Sequence, residues 1–204
     1  LKFVSGSPPE TFAPGEQWRR LDEPEPQALM RHLLPLMIVA VVTLPIIWGC
    51  IGLKRGAWQQ LMNEPTLAFH VPIMFISFLG MVVVHEMIHG VCQPGWGVSD
   101  QTVYGVMRKE GFVYAFYEGE LSRNRLLMIL LAPFCVITLF PLLLVWHFTV
   151  PPILFMYLAW YACLNGISAA ADLYGSWLIW QQVPASARVR NRGWFTYWTT
   201  ANLP

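Results

Sequence analysis

The sequence predicts an all-α, multi-pass membrane protein: four transmembrane helices, with a β-hairpin in the long cytoplasmic loop. Three observations carry that prediction. Of 204 residues, 55% are hydrophobic and only 12% charged, against roughly 25% charged in a soluble domain. Four apolar segments each reach the length of about 20 residues that a helix needs to cross a bilayer. The basic residues are shared very unevenly between the segments that join those spans.

Taken in order, residues 1–29 form an N-terminal segment whose Pro- and Glu-containing stretch, Pro8 to Pro26, reads as a mobile tail. No cleavable signal peptide is expected ahead of the first apolar run, and the chain begins with Leu1, as a fragment or a processed form would. Residues 30–180 form the membrane domain. Its first span runs from about Met30 to Leu53, its second from about Leu67 to Cys92, its third from about Leu126 to Phe148, and its fourth from about Pro151 to Trp180. The last two are joined through Val150-Pro151-Pro152, so they form a tight helical hairpin. Pro45, Pro72, Pro133 and Pro141 are the expected kink positions. Trp48, Trp58, Trp146, Trp177, Trp180, Trp194 and Trp198 fall near span ends or just beyond, which suits an interfacial aromatic belt. Residues 181–204 are the C-terminal tail.

Four spans place the N-terminal segment, the loop from Gln93 to Arg125 and the tail on one side. That side holds eleven of the thirteen basic residues: Lys2, Arg19, Arg20, Arg31, Arg108, Lys109, Arg123, Arg125, Arg188, Arg190 and Arg192. The other holds Lys54 and Arg55. The positive-inside rule then puts both termini in the cytoplasm. In the long loop, Gln101–Met107 and Phe112–Tyr117 are rich in Val, Tyr and Phe, and Arg108-Lys109-Glu110-Gly111 separates them. This is a hairpin signature. As structure it is a linker; as function it is an edge strand able to pair with an extended substrate.

A net charge of +1 gives no footprint for nucleic acid. Cys50, Cys92, Cys135 and Cys163 form no C-x-x-C pair and read as small hydrophobes.

The chemistry concentrates in His85-Glu86-Met87-Ile88-His89, which closes the second span. Histidines four apart share one helix face, so both rings reach one metal ion, and the adjacent glutamate can act as base on the attacking water. Such a cluster within an apolar span points to function, because burying it without purpose is costly. A catalytic zinc takes three protein ligands and keeps one position open. The one acidic residue in the other spans is Asp172. Counted from Leu67, His85 and His89 lie roughly 27 to 33 Å down the second span; counted from Pro151, Asp172 lies roughly 31 Å down the fourth. The agreement in depth makes Asp172 the third ligand. Glu118 and Glu120, in the loop before the third span, are the competing carboxylates. His32, His70 and His147 read as interfacial residues.

Asn165, Ser168 and Asp172 form a polar stripe on the fourth span at i, i+3, i+7, flanked by Gly166 and Ala169 to Ala171. Small neighbours allow close helix approach. The stripe serves either as hydrogen-bonding glue or as substrate positioning with support for the metal ligands. On a straight helix Asn165 sits roughly 10 Å from Asp172, so it is assigned to binding substrate, with Ser168.

The H-E-x-x-H closing one span, the later N-x-x-S-x-x-x-D, and Ala132-Pro133 between them resemble the Putative zincin peptidase family, membrane proteins similar to site-2 proteases. The tail residues Val183-Pro184-Ala185, Asn191-Arg192-Gly193 and Thr196-Tyr197-Trp198 add to the resemblance, which covers roughly Phe69 to Trp198. It implies a membrane-embedded zinc metallopeptidase with His85, His89 and Asp172 on Zn2+ and Glu86 as catalytic base. The Asn-Pro-Asp-Gly segment of site-2 proteases is replaced here by the separated Asn165 and Asp172, and no PDZ-like module is read in the chain. The expected reaction is hydrolysis of a membrane-protein or membrane-proximal peptide near the cytoplasmic face. The alternatives are a non-catalytic membrane metal-binding protein and a pseudoprotease.

Overall fold

The computed structural model describes residues 1–108 and 111–201; Lys109 and Glu110 of the predicted hairpin turn lie outside the described residues. The helices are α1 (Pro26–Lys54), α2 (Ala57–Met62), α3 (Leu67–Ile76), α4 (Phe78–Val91), α5 (Arg123–Pro133), α6 (Phe140–His147), α7 (Pro152–Ser168) and α8 (Ala170–Gln182). A π-helical segment, Phe134–Leu139, joins α5 to α6 without interruption. The strands are β1 (Lys2–Ser5), β2 (Arg19–Arg20), β3 (Thr102–Met107), β4 (Phe112–Tyr117), β5 (Leu121–Ser122), β6 (Arg188–Arg192) and β7 (Phe195–Thr199).

The chain divides into two compact units, one of residues 31–85 and 133–170, the other of 1–30, 86–132 and 171–204. The first is helical. Its core gathers Trp48, Ile51, Val145, Phe155, Ala159 and Ala162, with Trp48 and Phe155 in edge-to-face contact at 5.3 Å. Much of α1 faces outward: Ile38, Val39, Val42 and Ile46 are each more than half exposed. A helix so apolar on its outer face suits hydrocarbon, since in water it would leave a large unpaired apolar patch.

Two helices are long and apolar enough to cross a membrane: Gln27–Lys54, with 28 residues, and Arg123–His147, with 25. The number rises to four if each of two bent pairs is one span: α3 with α4, and α7 with α8, each bent by 50°. The second and fourth predicted spans thus correspond to bent helix pairs. Proline does not decide where they break. Helix α1 keeps both Pro35 and Pro45 inside a single helix. Each break follows a serine that returns its hydroxyl to the carbonyl three residues back: Ser77 to Met74 at 2.9 Å, and Ser168 to Asn165 at 3.2 Å. Such a bond competes for a ladder carbonyl, although the Asn165 carbonyl still accepts the Ala169 N–H at 2.8 Å. Tyr161 also bonds the Ser77 hydroxyl.

The second unit corrects the all-α expectation, because it carries two small sheets. The predicted hairpin is present as β3–β4, with Val103 facing Phe116 and Met107 facing Phe112. The N-terminal segment, read as a mobile tail, supplies β1, which pairs in parallel with β3, so the strand order is β1-β3-β4. The second sheet has the order β2-β7-β6-β5. The tail folds back as the β6–β7 hairpin over Gly193, whose φ of 53° is a conformation that glycine adopts without strain. The β1–β3, β2–β7 and β5–β6 pairings join residues far apart in sequence, beyond a local reading, whereas β6–β7 is as local as β3–β4 and its polar first strand, Arg188–Arg192, hid it. The core of this unit packs Leu121, Leu126 and Ile129 against Leu178, Ile179, Val183 and Val189.

Candidate metal centre

Helix α4 delivers His85, Glu86 and His89 on consecutive turns. His85, His89 and Asp172 each offer one ligand atom, and these atoms all lie within 4.8 Å of one another. Both histidines are buried, at 7% and 6% exposure. The His89 Nε2 atom stands 3.5 Å from Asp172 Oδ2.

The two imidazoles are held by their other nitrogens. The His85 Nδ1 atom lies 2.7 Å from Asn165 Oδ1, and His89 Nδ1 lies 2.8 Å from the Ile129 carbonyl oxygen. Both acceptors fix the proton on Nδ1, which turns Nε2 toward the metal position, the usual division of labour in a metal-bound histidine. Asn165 is itself fully buried and anchored. Its amide nitrogen donates to the Pro133 carbonyl at 3.1 Å and to Thr138 Oγ1 at 3.0 Å, and the Thr138 hydroxyl donates to the Ala162 carbonyl at 3.1 Å. The π-helical segment carries Thr138, and extra-residue turns of this kind recur at functional sites. Asn165 thus has both ends of its amide engaged within the protein. Asn165, expected to bind substrate with Ser168, here receives His85, and the Ser168 hydroxyl donates to the Asn165 carbonyl.

Glu86 shares a cavity with His89 and Asp172 and also reaches the first sheet. Its Oε2 accepts the backbone N–H of Ala115 at 2.8 Å. Sheet and helix come this close because Gly90 has no side chain. A Cβ there would stand 1.8 Å from the Tyr104 hydroxyl. Burial first, and the Glu86 carboxylate second, hold the Tyr104 phenol above its ordinary pKa, so it stays protonated. The competing carboxylates lie elsewhere. Glu118 takes Lys2 and Thr11, and Glu120 sits 3.9 Å from Arg188.

The model of the Putative zincin peptidase family matches residues 78–187, more than half of the chain. The chain belongs to this family. The match begins at the first residue of α4 and takes in His85, Glu86, His89, Asn165 and Asp172. It stops before β6, so the tail residues Asn191 to Trp198 lie outside it. No curated protein and no solved structure matches the chain.

A cavity of about 170 Å³ opens beside Glu86, His89 and Asp172. Strand β4 contributes Phe112, Tyr114 and Tyr117 to its wall, α5 contributes Leu126 and Ile129, and the β6–β7 hairpin contributes Trp194. Gln93 also lines it, one turn beyond His89. The sequence reading passed over Gln93, although its spacing of four from His89 was a visible signal.

Proposed function

We propose that this protein is a membrane-embedded zinc metallopeptidase that hydrolyses peptide bonds near the cytoplasmic face of the membrane. One observation carries the reading: two imidazoles with engaged Nδ1 atoms and a carboxylate converge, with Glu86 next to them at the mouth of a cavity. Two imidazole nitrogens and one carboxylate oxygen fit the three-ligand set of a catalytic zinc, which leaves a fourth position for water. His85, His89 and Asp172 would hold the ion. When bound, zinc supplies Lewis acidity that brings the pKa of a water down to about 7 and polarises a carbonyl.

The rest is work for the chain's own groups. Glu86 takes the proton of the attacking water and delivers it to the nitrogen of the departing amine. Its bond from the Ala115 N–H fixes the carboxylate in the meantime. The substrate meets the site in extended form, because a helical peptide already spends its carbonyls on internal bonds. Strand β4 suits it. Among the described residues, β4 is an edge strand, and Ala115 turns its N–H away from β3. In an antiparallel ladder Val113 and Tyr117 share that direction, so their backbone groups face outward for pairing. The distribution of basic residues supports cytoplasmic termini, and the bent helix pairs support four spans.

Glu86→Gln is the deciding variant. It retains zinc, measured by elemental analysis, and loses peptide cleavage by roughly 10²–10⁴-fold. Cleavage at the parent rate would overturn the mechanism. Loss of nothing but a binding phenotype in the His85 and Asp172 variants would favour a non-catalytic metal-binding protein.

A further inference from the structure

We infer that the cavity beside the metal centre is a substrate pocket for one bulky apolar side chain, and that Gln93 binds the backbone of the peptide carrying it. The inference rests on the proteolytic reading and adds to it the substrate class and a residue that reading does not use.

Gln93 carries the argument. It is 1% exposed, and its Oε1 has no hydrogen-bond partner among the described residues. Its backbone is already committed: the N–H goes to the Gly90 carbonyl and the C=O accepts from Arg125. The side-chain oxygen is therefore held in place, buried and unused, on the wall of the cavity. A buried acceptor left unpaired is costly, and its retention points to a donor that arrives from outside the chain. Asn191 repeats the pattern on a different element. Its Oδ1 is buried, unpartnered and on the same wall. The donors an extended peptide presents are backbone N–H groups, and two acceptors on one wall match them.

The remainder of the lining is aromatic and aliphatic: Phe112, Tyr114, Tyr117 and Trp194 with Ile129. Burial raises the pKa of Tyr114, whose hydroxyl donates to the Gly6 carbonyl at 3.0 Å, so that ring is fixed and neutral. An apolar cavity of about 150 Å³ holds a benzene ring. The space here, about 170 Å³, takes a side chain the size of leucine or phenylalanine and excludes a helix. Charged side chains have no partner in the aromatic part of the wall, so burying one there is costly.

The test uses the full chain, zinc-loaded in detergent, and peptides of the form acetyl-Ala-Ala-X-Ala-Ala-amide with X as Gly, Ala, Leu, Phe or Asp. Cleavage is read on the zinc-loaded parent, and binding is read separately by calorimetry on the Glu86→Gln form. Leu and Phe bind about 10- to 100-fold more tightly than Gly, and Asp does not bind. Gln93→Met lowers affinity for the Phe peptide about tenfold. N-methylation of the peptide nitrogen that Gln93 receives costs the parent the same factor and the Gln93→Met form nothing further. Trp194→Ala, at a half-exposed position, flattens the preference between Phe and Ala. Zinc content of each variant, equal to the parent's, shows that the fold survives. If cleavage proceeds with no preference at X and no loss in Gln93→Met, the pocket assignment falls and the peptidase stands. If the zinc-loaded parent neither binds nor cleaves any peptide, both fall.

Discussion

His85 and His89 stand one turn apart on the same helix, yet they are held by different kinds of group. A side-chain amide, Asn165 Oδ1, receives His85, whereas a backbone carbonyl, that of Ile129, receives His89. The difference teaches where such a site is open to mutation. A carbonyl in a helix survives any substitution that keeps the helix. An amide side chain is lost with one codon, and here it depends in turn on Pro133 and Thr138.

The largest effect breaks the comparison outright. His85→Ala, His89→Ala and Asp172→Ala each abolish stoichiometric zinc binding, which elemental analysis of the purified protein reads directly. A variant that keeps full zinc removes that residue from the ligand set. Asn165→Ala comes next. It leaves all three ligands in place but frees the His85 ring, and zinc affinity falls about 10- to 100-fold in competition with a chromophoric chelator. An affinity equal to the parent's would make Asn165 a packing residue only. The matching change on the other side is Ile129→Val. It preserves the carbonyl, so zinc affinity stays within about twofold while stability drops by about 0.5–1.5 kcal/mol.

The smallest effect is a control for pH. Burial pushes Glu23 up to about 7, against a bond from the Thr196 N–H and the charge of Arg20 that act the other way. A carboxyl raised above its unfolded value of 4.5 keeps a proton in the folded state that the unfolded chain has already lost. Its contribution is therefore fully present below pH 4.5 and is lost as pH rises to about 7. The midpoint of thermal unfolding falls over that window in the parent and falls less in Glu23→Gln. Without this control, a pH-dependent loss of zinc near neutrality would be charged wrongly to the histidines.

Much of this was legible along the chain because it is local. The i, i+4 spacing of His85 and His89 fixes a shared face whatever surrounds the helix. The Val-, Tyr- and Phe-rich runs flanking Gly111 gave β3–β4, whose strands are sequence neighbours. The family followed from the motif and the later Asn and Asp. The depth argument for Asp172 assumed straight helices. Both helix pairs are bent, and Asp172 still lies beside His89.

What the sequence by itself determined is the ligand chemistry, the apolar spans and the presence of a helical pair of histidines, all of which depend on residue type and short-range periodicity. Packing of distant segments set the rest: Asn165 serves His85, Lys2–Ser5 joins β3, and Gln93 shares a cavity with Trp194. Each of these is a hydrogen bond or contact that closes a long loop. Its formation depends on which buried polar group is left wanting a partner once the rest of the chain has packed, and that is a property of the whole chain and not of any window along it.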